Sequence, residues 1–220
     1  MKMLITEQII IMLAALVLLT AFAMLVQRKI YGLISLFTWQ GIFLALTTAF
    51  VGYVSHRHHL YISSLLILVL KVVLLPYILR ELINRLKIDR EIETVVNVPI
   101  TMLIGVGLVI FSYQLTSPVR ELSTSATQSI IAIALATVMI GLLMMITRRN
   151  AVTQIIGFLA MENGLFFAAV SATYGMPLVV ELGVAIDILI AAFIFGIFFL
   201  HINTTFDSLD VDQMARLKEE

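Results

Sequence analysis

The chain has no cysteine among its 220 residues, which excludes disulfides, iron–sulfur clusters and thiolate zinc sites of its own. No bound redox cofactor is expected. Charge is also scarce: 13% of the residues are Asp, Glu, Lys or Arg and 61% are hydrophobic, with a mean hydropathy of +1.07. Soluble domains carry about 25% charged residues, so this composition excludes a soluble globular fold and points to an integral membrane protein. Hydrophilic stretches long enough to fold a catalytic domain are missing too. Any chemistry must take place within the membrane or on a partner, and no nucleic-acid partner is expected.

What the chain does have is long apolar runs. A window of about 19 residues picks out seven segments, near Leu4–Val26, Tyr31–Val54, Leu60–Leu79, Val95–Leu115, Ala126–Thr147, Ala151–Tyr174 and Leu178–His201. Each is continuously apolar over about 20 residues, the length a helix needs to cross a bilayer, and none shows the short alternation of a barrel strand. The predicted fold class is therefore all-α, a polytopic membrane protein of about seven transmembrane helices. Lys2 followed by an apolar run and Ala21-Phe22-Ala23 imitates a signal peptide, but the run exceeds the usual core of about 7–15 residues. It is expected to remain as the first span.

The cations set an expected orientation. With the N-terminus outside, the inner loops and tail hold Arg28, Lys29, Arg80, Arg85, Lys87, Arg90, Arg148, Arg149, Arg216 and Lys218, whereas the outer segments hold only Lys2, Arg57 and Arg120. That asymmetry predicts an N-out, C-in topology. The longest hydrophilic connection, Arg80 to Glu93, mixes charges of both signs at near-helical spacing and reads as an interfacial helix or a hinge. It closes a first region, 1–93, of three helices and a charged cytoplasmic connection. A two-helix connecting region, 94–147, follows, and then 148–220, whose polar tail is suited to docking on a neighbour.

Against this background three ionisable residues stand out: Lys71, Glu162 and Asp187 each lie inside an apolar run. A charge at the bilayer centre costs several kcal/mol even on insertion scales, so such residues face a bundle interior and mark pathways, gates or pairs. At about 1.5 Å per residue from the inner helix ends they lie roughly 13, 17 and 21 Å deep, near the middle of a core about 30 Å thick. Groups at one depth suit lateral proton transfer better than a transverse channel. The plainer reading is a structural ion pair, Lys71 with Glu162 or Asp187, acting as interhelical glue. Snorkelling does not account for Lys71, because the interface lies about twice as far away as its side chain of roughly 6 Å reaches.

Other residues carry weaker signals. Glu181 is placed near the outer interface, where a solvated helix-end carboxylate is the plain explanation, and His201 ends the last span at the inner face and is able to take up a proton there. Both are accessory candidates, as is Asn163 beside Glu162. His56, His58 and His59 flank Arg57 in an outer loop without neighbouring carboxylates or cysteines, a poor metal site. Pro76, one turn beyond Lys71, is expected to kink the third span and loosen carbonyls near the lysine.

The stretch from Thr147 onward resembles the membrane subunit family of hydrogenase-4 component E and formate hydrogenlyase. The residues that carry this are Arg148-Arg149-Asn150, Ile156-Gly157, Met161-Glu162-Asn163-Gly164, Val180-Glu181-Leu182-Gly183, Asp187 and Leu209-Asp210-Val211, with Lys71-Val72-Val73-Leu74-Leu75-Pro76 matching in the third span. That family is in turn similar to the K-type subunit of respiratory complex I and the C subunit of Mrp-type cation/proton antiporters. The K-type glutamate would fall at Leu159; here the carboxylate lies three residues on, at Glu162, on nearly the same helix face.

The resemblance implies a non-catalytic subunit of a membrane-bound [NiFe]-hydrogenase complex in the inner membrane of a prokaryote. It would sit in the lipid bilayer beside antiporter-like and other membrane subunits, with metal centres confined to a peripheral hydrogenase arm. It also implies that Glu162, Asp187 and Lys71 belong to a proton or sodium pathway coupled to electron transfer, with 148–220 as K-type-like helices. Two alternatives stand beside it: a structural assembly subunit of that complex, and a C-type subunit of a multisubunit cation/proton antiporter. The extra N-terminal spans argue against the second.

Overall fold

The computed structural model describes residues 2–86, 92, 94–118, 125–172, 183, 186 and 188–190. The apolar runs form helices almost residue for residue, because only a helix satisfies every backbone N–H and C=O within one segment surrounded by lipid. α1 (Lys2–Val26) and α2 (Ile30–Ser55) are followed by one long span made of α3 (His59–Ile67), a π-helical segment (Leu68–Leu74) and α4 (Leu75–Leu86); then come α5 (Val98–Leu115), α6 (Ser125–Thr147) and α7 (Ala151–Ala172). Six spans among the described residues are long and apolar enough to cross a membrane. The protein is an all-helical, polytopic membrane protein. The seventh expected span, Leu178–His201, lies mostly outside the described residues, although residues 183, 186 and 188–190 are helical.

Two expectations change at the ends of spans. The fourth begins at Val98 and not at Val95, because Thr94 forms an antiparallel bridge with Arg148 and Val95 N–H donates to Thr147 O at 2.9 Å, which holds this stretch extended until Pro99 starts the helix. The charged connection expected from Arg80 does not begin as a separate element: residues 80–86 continue α4 without a break. Residues 87–91 and 93 lie outside the described residues.

The helices pack through small residues, as spans must when lipid is as apolar as leucine and only close contact rewards association. α6 and α7 form an antiparallel hairpin with the most extensive interface in the bundle. A Cβ on Gly141 would stand 2.6 Å from Met161 N, one on Gly164 3.0 Å from Val138 N, and one on Gly157 3.2 Å from Met145 N. These three contacts run along one seam. Gly41 lets α2 approach the π-helical segment, where its Cβ would lie 3.3 Å from the Cβ of Lys71. α5 packs on α6 and α1 but leaves Leu103, Ile104, Val106, Ile110 and Phe111 exposed to the membrane side.

The apolar interior is divided into two clusters. One gathers Met24, Leu33, Phe37, Leu75, Leu79, Met144 and Ile156; the other gathers Ala14, Leu44, Leu60, Ile67, Ala134 and Phe167. On α2 the divide falls between Phe37 and Leu44, on the third span between Ile67 and Leu75, and on α7 between Ala160 and Phe166. Each gap holds buried polar residues: Gln40, Lys71, and Glu162 with Asn163. A polar layer crosses the bundle between two dry cores.

Candidate functional site

Lys71 sits at the centre of the π-helical segment and is fully buried. The expectation for Pro76 has a specific outcome here. Without an N–H, Pro76 cannot satisfy the carbonyl four residues back, and the turns before it relax to wider π spacing, with Leu75 N–H donating to Leu70 O. Such π segments occur mostly as short insertions at functional sites.

The lysine points at α7. Its Nζ donates to Glu162 Oε2 and, at 2.7 Å, to Asn163 Oδ1, and it stands 5.5 Å from the centroid of the Phe166 ring. Phe166 follows Glu162 by four residues and Asn163 by three, so it neighbours both on the surface of α7. The bonds are charge-assisted in a region without bulk water, where electrostatic attraction is strong and an unpaired partner is costly. Asn163 Nδ2 in turn donates to Gln40 Oε1 at 3.0 Å, and Gln40 Nε2 to the backbone O of Val17 at 3.4 Å. Four spans thus contribute to one connected polar layer: α7, the π segment, α2 and α1. Gly183 packs closely beside it, where a Cβ would be 2.5 Å from the Phe166 ring and 3.8 Å from Glu162 Oε1.

Of the residues singled out from the sequence, Lys71, Glu162 and Asn163 are brought together. Asp187, Glu181 and His201 lie outside the described residues. His56 closes α2 in a left-handed conformation with φ 52°, and among the described residues no three His, Cys, Asp or Glu gather as metal ligands. Gln40 was not singled out, and the signal was there: it is an amide in the middle of an apolar run, and buried amides need partners.

Arg148 is a second buried cation, and its structural part was not read from the sequence. Read as an inner-loop charge, it is in fact 2% exposed, and its Nη2 donates to Met24 O at 3.0 Å, Leu25 O at 2.9 Å and Gln27 O at 3.1 Å. A cation is thereby set on carbonyls at and just beyond the C-terminus of α1, where the helix dipole favours positive charge. Burial lowers its pKa below the ordinary arginine value, without bringing it near neutrality. Two residues on, Asn150 Oδ1 accepts from Val152 N–H at 2.9 Å and caps α7. The Arg148-Arg149-Asn150 turn therefore joins two helix ends and, through the Thr94 bridge, the segment before α5. Arg148→Met is expected to cost about 2–3 kcal/mol, read as detergent unfolding by circular dichroism. Arg148→Lys is expected to fail as a rescue, since all three bonds are made by Nη2 and the lysine side chain, one bond shorter, does not carry its ammonium to that position.

The fold and the buried layer define a polytopic membrane protein with an ion pair at mid-span. The chain is 31% identical over 194 residues to a Mycobacterium tuberculosis (strain ATCC 25618 / H37Rv) protein named only as uncharacterized protein Rv0085, a match covering 88% of each chain, and it belongs to the same family. It is also 26% identical over 148 residues to hydrogenase-4 component E of Escherichia coli K12 and of Shigella flexneri, covering 67% of this chain and 68% of theirs. No family model and no solved structure matches it.

Proposed function

We propose that this chain is a non-catalytic membrane subunit of a membrane-bound hydrogenase complex of the hydrogenase-4 type, set N-out in the inner membrane, and that Lys71 and Glu162 exchange protons on a pathway coupled to electron transfer in the peripheral arm. The observation that carries this reading is the buried Lys71 to Glu162 pair inside a layer spanning four helices. Transfer within it is balanced: an N–H bond of the ammonium breaks as an O–H bond forms at the carboxylate, and both groups end neutral. Similarity to hydrogenase-4 component E supports the setting, and the π segment under Lys71 supports a site with more than one backbone arrangement. Asp187 is proposed as the next carboxylate on the path, with Glu181 and His201 as accessory groups towards the two faces. Antiporter-like subunits are the proposed lateral neighbours.

The test is redox-driven acidification of proteoliposomes holding the whole complex. Glu162→Gln is expected to lower translocation to background while the complex keeps its normal amount and hydrogenase activity. Full pumping by that variant would remove Glu162 from the path. A second reading is favoured by the directness of the ion pair, which suits a lock between α7 and the third span. On that reading Glu162→Gln dissociates the complex, and whatever still assembles pumps normally.

A further inference from the structure

The order of donors in the polar layer is forced. A lysine ammonium has only N–H groups to offer, so Asn163 must turn Oδ1 towards it, at 2.7 Å. The Asn163 amide nitrogen then faces Gln40, which must present Oε1, at 3.0 Å, and the Gln40 nitrogen is left to meet Val17 O, at 3.4 Å. Every donor points the same way, from the ion pair through α2 to the backbone of α1. Val17 O also accepts the Thr20 hydroxyl at 2.8 Å.

Amides transmit orientation along such a chain but not protons. Their N–H is not titratable in water's pH range, and their carbonyl does not hold a proton there, unlike the carboxyl, imidazole and hydroxyl groups that build relays. Lys71, Asn163 and Gln40 are each 0% exposed, which leaves no room on this side for bulk water to bypass them. On the opposite side of the lysine stands the Glu162 carboxylate, a group that can hold a proton, with its Oε1 3.8 Å from where a Cβ on Gly183 would lie.

We propose that Gln40 is a positioning and insulating residue: with Asn163 it orients Lys71 towards Glu162 and stops protons from passing from the ion pair across α2 to α1. This rests on the reading of Lys71 and Glu162 as a proton-exchanging pair. It assigns a direction to the site, with exchange at the carboxylate edge and an insulated wall behind the lysine.

The full-length chain in liposomes, with an internal pH dye and a potassium gradient clamped by valinomycin, tests this without any electron donor. Gln40→Glu places a titratable group where the amide was, and is expected to raise passive proton leak about tenfold over the unmodified chain, as carboxylates do in membrane relays. Gln40→Met fills the same space and is expected to stay tight. The double variant Gln40→Glu/Glu162→Gln is expected to return to the low leak, because the protons pass by the ion pair. Asn163→Asp, one step nearer the lysine, is expected to leak like Gln40→Glu and decides the matter if the latter does not fold. A folded Gln40→Glu as tight as the parent, or a leak that persists in the double variant or appears equally in Gln40→Met, overturns the proposal. These leaks are read independently of pumping, so normal translocation by Glu162→Gln would remove the proposed function while the leak data still decide whether Gln40 insulates.

Discussion

Lys71→Leu is expected to destabilise the bundle by about 3–5 kcal/mol, the cost of stranding one member of a buried pair. Glu162 would lose its direct partner, Asn163 Oδ1 its donor, and the Phe166 ring its cation. The informative comparison is the double variant Lys71→Leu/Glu162→Leu. Apolar residues of similar volume replace buried ion pairs at little or no loss of stability, so the double variant is expected to recover most of the deficit and yet to leave the complex unable to translocate. Denaturant unfolding in mixed micelles measures the first quantity, and dye-reported acidification of complex-containing vesicles the second. The two readouts separate glue from conduction: a double variant that is stable and still pumps would reduce the pair to a structural lock. A double variant as unstable as the single would show that the coupling energy does not reside in this pair.

Gly141→Leu is expected to cost about 3 kcal/mol, at the upper end for overpacking, because the new Cβ would lie 2.6 Å from the amide nitrogen and 2.7 Å from the Cα of Met161. Backbone cannot rotate aside as a side chain can, so α6 and α7 must separate. Met161 immediately precedes Glu162, and the displacement is expected to reach the ion pair, so the variant should lose translocation even where folded protein is recovered. Gly107 on α5 supplies the control, since a Cβ there meets nothing within 4 Å. Gly107→Ala is expected to be neutral or to gain about 0.5–1 kcal/mol from helix preference. Equal losses at both glycines would mean that the α6 to α7 crossing is not set by close backbone approach.

Much of the fold was legible in the sequence. Hydropathy is summed over neighbouring residues, so the limits of α1, α2, α6 and α7 could be read to within a few residues, and the class of protein followed from composition. Lys71 and Glu162 were visible because a charge in an apolar run is costly enough to need a reason. Gln40 was overlooked because an amide in such a run costs less and attracts less notice. The burial of Arg148 was not legible, because its position beside Arg149 at a span end is also what a solvated loop cation looks like. Only its bonds to the α1 carbonyls distinguish the two. Pro76 was expected to kink the third span, and the sequence does not specify that the turns before it take π spacing.

The amino-acid order alone therefore determined the membrane class, the spans and the presence of costly ionisable groups within them, since each depends on the local transfer of side chains into lipid. The tertiary structure decided which groups meet. Lys71 lies 91 residues from Glu162 and 92 from Asn163, and their encounter depends on the rotational setting of each helix. That setting comes from close packing at Gly41, Gly141 and Gly164, where the missing side chains bring backbones together. Such contacts are non-local, and no periodicity along a single span encodes them.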